Sequence, residues 1–314
     1  TPDAEKNDEK YLRGSYIDDL IGTMINDRLA ELRQQALPPY QSATGRASTF
    51  FLSRMKESFS LSVSCKENNV LGGLIAAVGV AERIRQHGFT QAELNIAKGL
   101  KLNHDERKFR ERDDRRNSKY VSACIQHFLN SEPLLSVEQQ LELTRRFDRE
   151  VTLAEVNAAV RELITDKNQV AILYAPDKEG LVLPTEEQIE DVVLAAQQLS
   201  YAPYEEKQLA DKLIEQLPKA GSIVSEKAYK HGFKEWTLSN GMKVYVKKTD
   251  YAADAVSFRM QAEGGTSVFS NEEAPNFALL NSAITDAGVG QFDATTLRRM
   301  LSGKSVRVQP SVNT

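Results

Sequence analysis

Histidine is the first residue type to consider for catalysis in this chain, because it binds metals and transfers protons near neutral pH. The sequence has 4 histidines, and no two of them lie within one helical turn of each other: His87, His104, His127 and His231. Neither H-E-x-x-H nor H-x-x-E-H can therefore be written anywhere in the sequence. His104 is followed by Asp105 and Glu106, but neighbours on a helix point about 100° apart, so this triplet is predicted to be a solvated helix surface.

The cysteines and the glycine-rich runs offer no clearer chemistry. Cys65 lies in a strand-like run and Cys124 in a helix-like one. Two thiols are too few for a disulfide framework or a four-ligand zinc site, so both are predicted to be buried and structural. The run "LGGLIAAVG", which begins at Leu71, lies inside a helical pattern and lacks the Lys-Ser/Thr of a phosphate-binding loop, which predicts helix packing. The residues themselves thus predict no catalytic residue and no metal ligand, and the substrate-binding residues are unknown.

Bulk composition excludes several kinds of partner. The chain has 314 residues, 41% hydrophobic and 27% charged, which suits about two globular domains. A net charge of -4 gives no basic footprint for a nucleic acid. No apolar run reaches about 18 residues, so no membrane span is expected. The polar N-terminus has neither an initiator Met nor the apolar core of a signal peptide, which indicates a mature or excised fragment.

The N-terminal part of the chain is predicted to be a layered domain of helices and strands. An apolar face with three- and four-residue spacings predicts a helix over residues 16–35, and alternating runs predict strands over 40–52 and 58–65. Residues 70–87 predict a helix that ends at Gly88. Capping patterns at Thr90, Ser136 and Thr152 predict the starts of three more helices. The continuous apolar run 169–176 predicts a strand that is buried on both faces.

From about residue 177 the composition becomes that of a connector. Helices are predicted over 185–200 and, more weakly, over 206–217, and the best domain break is "PKAGS" at 218–222. Asn240 and Gly241 between two alternating runs predict a β-hairpin. The pattern further predicts a strand over 255–260, helices over 272–287 and 294–302, and a strand that begins at 305.

The stretch "GGTSVFSNEEAPNFALLNSAI", residues 264–284, has the form of a site entrance without the chemistry. Together with "WTLSNGMKVYVKKTD" before it, this stretch resembles the start of a domain in the insulinase/pitrilysin zinc metallopeptidases. In that family an L-x-N-G-(L/M)-x-V strand and a G-G turn lead into a helix that carries H-x-x-E-H in the catalytic copy. Here the positions of the ligands and the base are taken by residues that can neither bind zinc nor accept a proton: Asn276, Phe277, Ala278, Leu279 and Leu280. The resemblance therefore implies a copy of the domain that lacks the metal ligands.

The first part of the chain resembles the later part of the second domain in the same family. There, a helix with L-x-x-R-L-x-x-x-L-R leads into two strands, a long helix and a G-(F/V)-T-x-x-E-L-x-x-A-K motif. That motif is represented here by Gly88, Phe89, Thr90, Glu93, Leu94, Ala97 and Lys98. The resemblance covers roughly residues 13–310 and implies an α+β fold of layered sheet-and-helix domains. It also implies that residues 1–176 are the C-terminal part of a second, non-catalytic domain, that 177–225 are a helical linker, and that 226–314 are the N-terminal part of a third, zinc-less domain.

The function implied by this resemblance is that of a non-catalytic section of a zinc-dependent metalloendopeptidase. Such a section would enclose a peptide substrate together with the other half of the same protein and would be inactive alone. Zinc is expected in an N-terminal domain of the parent protein, and no cofactor in the 314 residues themselves. A structural or regulatory subunit with no zinc site anywhere is the alternative, and an independent hydrolase built from scattered groups is a third.

Two properties of the whole molecule remain as expectations. Some self-association is expected, because a truncated domain leaves sheet edges uncovered. The compartment is unknown, since members of this family occur in the bacterial periplasm and in eukaryotic compartments, and an exported location is compatible with the sequence.

Overall fold

A computed structural model describes residues 6, 8–49, 57–205, 210, 212–251, 255–270, 272–277, 279–301, 304, 306 and 308–312. The chain forms two compact units. The first unit comprises Thr1–Gln208 and Leu279–Ser311, and the second comprises Leu209–Ala278 and Val312–Thr314.

The core of the first unit is built on helix α1 (Glu9–Arg33). Its apolar residues recur at helical spacing and are buried along one face: Ile17, Leu20, Ile21, Met24, Ile25 and Leu29. Each buried aliphatic side chain of this kind contributes about 1.5–3 kcal/mol of transfer free energy. The predicted helix over 16–35 is thereby confirmed, and it begins about two turns earlier than the pattern indicated.

Strands β1 (Ser42–Thr49) and β2 (Glu57–Ser64) form an antiparallel pair that packs on α1. Their register pairs Ser42 with Ser64 and Thr49 with Glu57. Gly45 fits closely against α1, because its N–H donates to Asn26 Oδ1 at 2.9 Å while its carbonyl accepts from Asn26 Nδ2 at 3.0 Å. Both strands are confirmed, although residues 50–52 of the first predicted run lie outside the described residues.

Helices α2 (Val70–His87) and α3 (Gln91–Arg110) follow, separated by a short turn. Gly88 has a φ of 74°, the left-handed region that favours glycine. The capping box at Thr90 forms as predicted, with the Thr90 hydroxyl accepting from the Glu93 amide and the Glu93 carboxylate accepting from the Thr90 amide. The helical interpretation of "LGGLIAAVG" is also confirmed, since a Cβ at Gly73 would lie 2.7 Å from Cys65 Sγ and glycine therefore permits close packing.

The remaining helices of the first unit are α4 (Asn117–Asn130), α5 (Val137–Glu150), α6 (Leu153–Leu163), α7 (Glu186–Gln198), α9 (Leu280–Ala287) and α10 (Ala294–Met300). The predicted caps form at Ser136 and Thr152, and Thr185 forms another; each side chain accepts an amide N–H three residues further on. Helix α7 packs against α2, and Tyr201 beyond its end donates its amide N–H to Gln86.

The second unit contains a three-stranded antiparallel sheet in the order β3 (Ile223–Ala228), β4 (Lys234–Leu238) and β5 (Lys243–Val246). Strands β4 and β5 form the hairpin predicted from Asn240-Gly241, and Gly241 has a φ of 84°. Helix α8 (Ala274–Phe277) is short, so the helix predicted over 272–287 is interrupted and divides into α8 and α9.

Several predicted elements are wrong in the described parts of the chain. Residues 169–176 and 255–260 are not strands and are exposed throughout, and no described strand pairs with them. The described residues of 206–217 are not helical, and the others lie outside the description, as do residues 305 and 307 of the last predicted strand. An apolar run forms a buried strand only where other strands offer it hydrogen bonds, and these runs have none among the described strands.

The fold class is α+β, as predicted, with mixed helices and small sheets. The division into 1–176, 177–225 and 226–314 as parts of two domains and a linker remains a prediction.

Candidate functional site

Among the described residues, none of the four histidines belongs to a cluster of side chains that could hold a metal ion. His87 Nε2 lies 2.6 Å from the Tyr201 carbonyl oxygen, and His127 Nδ1 lies 2.7 Å from the Glu132 carbonyl oxygen. Burial, followed by the positive charge of Lys108, lowers the pKa of His104. Within the described ranges no group of three or more His, Cys, Asp or Glu side chains could hold a metal ion. A catalytic zinc site needs three protein ligands. The described residues therefore do not fit a zinc site of the kind that the resemblance implies for the catalytic domain.

Asp105 corrects the prediction that residues 104–106 form a solvated surface. Its side chain is 1% exposed and accepts a hydrogen bond from Thr144 Oγ1 on α5 at 2.8 Å. Lys108 and Lys101 lie 3.2 and 3.6 Å from its carboxylate oxygens. A buried carboxylate is tolerated when it is paired and hydrogen-bonded, so Asp105 joins α3 to α5 and is structural.

The thiols lie apart from any such cluster. Burial raises the pKa of the half-buried Cys65, whose sulfur donates to the Val70 carbonyl oxygen at 3.4 Å. Cys124 is exposed, so the prediction that both thiols are buried is wrong for Cys124. The physical reason is that Cys124 lies on an apolar helix face that is exposed.

The resemblance places residues 276–280 at the position of the zinc helix, and this correspondence remains a prediction. Asn276 is exposed, and the ring of Phe277 stacks on the ring of Phe269 with centroids 3.8 Å apart. Leu279 is 70% exposed, and Ala278 lies outside the described residues. Aromatic stacking and an amide provide packing rather than metal coordination.

Arg28 and Glu93 form a buried ion pair in the first unit. The two side chains are 3% and 6% exposed, and Arg28 Nε and Nη2 donate to the two carboxylate oxygens at 2.7 and 2.8 Å. Arg28 also stacks over the ring of Tyr204 at 4.2 Å and donates to the Gly88 carbonyl oxygen at 3.0 Å. All its partners belong to the fold, so this arginine organises the junction of α1, α3 and the turn at Gly88.

Helix α4 presents an unusual surface, because none of its residues is buried. Six apolar side chains share one face of the helix and line an open groove of about 580 Å³: Tyr120, Val121, Cys124, Ile125, Phe128 and Leu129. We call these six residues the α4 surface. Phe128 is 86% exposed. Contiguous exposed apolar surface of this kind usually marks a binding site.

A few polar contacts hold the ends of helix α4, whose apolar face is exposed. Lys6 donates to the Asn130 carbonyl oxygen at 2.5 Å and to the Glu132 carboxylate at 3.3 Å. Tyr11 on α1 donates its hydroxyl to the same carboxylate at 2.8 Å. At the other end, the guanidinium of Arg115 lies over the ring of Tyr120 at 4.8 Å. The contacts of Lys6 and Tyr11 tether the C-terminal end of α4 to the first residues of the chain.

The sequence contains a signal for the helix that carries the α4 surface. Apolar residues at 120, 121, 124, 125, 128 and 129 repeat at helical spacing. That spacing indicates an amphipathic helix, but it is the same whether the face is buried in a core or open to a partner. Only the structure reveals the exposure.

Sequence relatives and solved structures agree on one class of protein. No family model matches the chain. It is 25% identical over 236 residues to a zinc protease PQQL-like protein of Arabidopsis thaliana, covering 75% of this chain and 25% of the relative. It is also 25% identical over 307 residues to the probable zinc protease PqqL of Haemophilus influenzae, covering 95% of this chain and 32% of the relative. This chain thus spans about a quarter to a third of the length of these relatives.

The solved structures share the fold. The periplasmic protease PqqL of Escherichia coli superposes with a TM-score of 0.55 at 21% identity, over 98% of this chain and 34% of that one. The ferredoxin protease FusC superposes with a TM-score of 0.54 at 12% identity, over 96% of this chain and 34% of that one. The chain is related in sequence to zinc proteases and has their fold. The resemblance to the insulinase/pitrilysin metallopeptidases is thereby confirmed.

No helix among the described residues is both long and apolar enough to cross a membrane.

Proposed function

We propose that these 314 residues are a non-catalytic section of a zinc-dependent metalloendopeptidase and that they help to enclose an unfolded peptide substrate. The observation that carries this proposal is the chain's sequence relation to zinc proteases although its described residues offer no group of zinc ligands, and the exposed α4 surface supports the binding of a peptide. Apolar clefts with few polar groups suit unfolded peptides, which expose the side chains that folded proteins bury. The relatives named zinc proteases support the hydrolytic role of the parent protein.

The zinc site of the parent protein is proposed to lie in its N-terminal domain, outside this chain. Zinc bound there would activate water for attack on the peptide bond. The chain described here would contribute binding, with residues 1–176 as part of a second domain, 177–225 as a linker and 226–314 as part of a third. An exported location is proposed as well, since the solved relative from Escherichia coli is a periplasmic protease.

Metal analysis and peptide binding test this function together. The purified chain is incubated with a zinc salt, desalted and assayed for bound metal, and then mixed with a labelled unfolded polypeptide. We expect zinc far below stoichiometry, no cleavage, and a saturable rise in fluorescence anisotropy. Tightly bound stoichiometric zinc with proteolysis would contradict the proposal and favour an independent hydrolase.

The alternative, a structural subunit with no zinc anywhere, predicts a different result in the same experiment. Such a subunit would have no need to bind unfolded polypeptide, so the anisotropy would not change. A folded, non-peptidic partner would then be sought.

A further inference from the structure

We propose that the α4 surface binds an extended peptide segment in which apolar residues lie next to an acidic side chain. This inference rests on the proposed function and names the class of substrate segment that the surface selects. The inference is based on two features of α4: the length of its apolar face, which matches a short extended peptide, and two arginines at one end of that face.

The length of the α4 surface suits an extended peptide. Leu129 lies nine positions after Tyr120, and a helix rises about 1.5 Å per residue, so the face is about 14 Å long. An extended chain advances about 3.3 Å per residue, so about four residues cover that length. Phe128 and Ile125 are both exposed, which makes them available as anchors for the apolar side chains of the segment.

The charge at the N-terminal end of α4 favours a carboxylate. The Arg115 guanidinium lies over the Tyr120 ring at 4.8 Å, and Arg116 is the N-cap residue, one helical turn before Tyr120. Neither arginine forms an ion pair with any described residue. The positive end of the helix dipole adds to this field. Asp113 and Asp114 lie in the preceding 3-10 turn, so the field is not uniform, but α4 itself contains no acidic residue.

The opposite face of the same helix supplies a matched control. Lys119 projects away from the apolar residues, since it precedes Tyr120 by one residue and successive side chains differ by about 100°. A carboxylate that lies along the α4 surface would therefore depend on Arg115 and Arg116 and not on Lys119. A general attraction of acidic peptides to positive charge would depend on all three.

The experiment uses the complete 314-residue chain and three labelled, C-terminally amidated peptides. All three contain the same apolar residues, and the interspersed polar residues are Glu, Gln or Lys. We expect the Glu peptide to bind most tightly and the Lys peptide most weakly, with an affinity that falls as salt rises. We expect Phe128→Gln to weaken binding about tenfold, as for a buried interface anchor, and Val182→Gln, at an equally exposed position of 86%, to leave it unchanged.

Charge variants and thiol protection locate the bound peptide. The double variant Arg115→Gln/Arg116→Gln is expected to remove the preference for the Glu peptide, whereas Lys119→Gln retains it. The Glu peptide is also expected to slow the alkylation of the exposed Cys124 and to leave the half-buried Cys65 unaffected. Mass spectrometry distinguishes the two thiols without any substitution.

Four results would overturn the inference. If all three peptides bind equally and the α4 variants have no effect, the surface and the substrate class are wrong although the proposed function stands. If no unfolded peptide binds at all, the proposed function fails with it. Dimers that Phe128→Gln abolishes, without peptide binding, would assign the surface to a second copy. Binding to anionic vesicles, without peptide binding, would assign it to a membrane surface.

Discussion

At the scale of single residues, the Arg28–Glu93 pair is expected to be a major determinant of stability in the first unit. Removing one partner of a buried ion pair leaves an unpaired buried charge, which costs about 3–5 kcal/mol. We therefore expect Arg28→Met to lower the free energy of unfolding by that amount in urea denaturation. The pair is 3% and 6% exposed, so solvent provides little compensation.

An exposed pair provides the control for this prediction. Lys178 lies 2.8 Å from Glu67, with both side chains more than half exposed, and such pairs contribute less than about 1 kcal/mol. Lys178→Met should therefore change little. Equal losses in the two variants would show that the Arg28–Glu93 pair has no special role.

A second residue-scale prediction concerns acid pH. Arg13 donates two hydrogen bonds to Glu155, at 2.7 and 2.8 Å, and these lower the pKa of Glu155 below its ordinary value of 4.5. A carboxyl group with a lowered pKa stabilises the fold fully above that ordinary value and loses the contribution as the pH falls through the folded-state pKa.

We therefore expect the difference in urea midpoint between the parent chain and Glu155→Gln to shrink below about pH 4.5. Glu179→Gln, at an exposed position, is the matched control and should show no such convergence. A difference that stays constant down to the acid transition would contradict the role assigned to the Arg13 contact.

At the scale of elements, the turn between α2 and α3 depends on glycine at position 88. Its φ of 74° disfavours any side chain, and a Cβ there would lie 2.5 Å from Asn157 Cγ. Asn157 in turn accepts the Phe89 amide N–H at 2.8 Å. We expect Gly88→Ala to destabilise the protein by about 1–2 kcal/mol from the backbone alone, and by more through the displaced Asn157.

Gly99 gives the opposite expectation. It lies inside α3, where a Cβ would meet nothing within 4 Å. Alanine is favoured over glycine in a helix interior by about 0.5–1 kcal/mol, so Gly99→Ala should stabilise. Thermal unfolding of the two variants checks both signs, and a stabilising Gly88→Ala would refute the assigned conformation.

At the scale of the whole molecule, the exposed apolar segment 255–260 is expected to promote self-association. Val256 and Phe258 are 95% and 80% exposed in a segment that no described strand pairs with. Unpaired extended backbone with apolar side chains is a template for association between chains.

We expect the sedimentation coefficient to rise with protein concentration and Phe258→Lys to reduce that rise, because a charge opposes strand pairing. Val182→Lys, at a site 86% exposed, serves as the control. A chain that stays monomeric at high concentration would contradict this expectation.

Most of the local structure of this protein was determined by the sequence alone. The apolar face of α1, the capping boxes at Thr90 and Ser136, and the hairpin at Asn240-Gly241 all form where the residues predicted them. These signals act within one helical turn or one tight turn, so no distant residue is needed to read them. The absence of H-x-x-E-H is likewise a property of the sequence.

Tertiary structure decided which of the apolar and charged residues are buried. Asp105 is buried because Thr144 on α5 reaches it, residues 169–176 are exposed because no described strand pairs with them, and the α4 surface is open although its spacing would equally suit a core helix. Burial depends on what the rest of the chain brings to a face. Periodicity specifies the face of an element but not its neighbour.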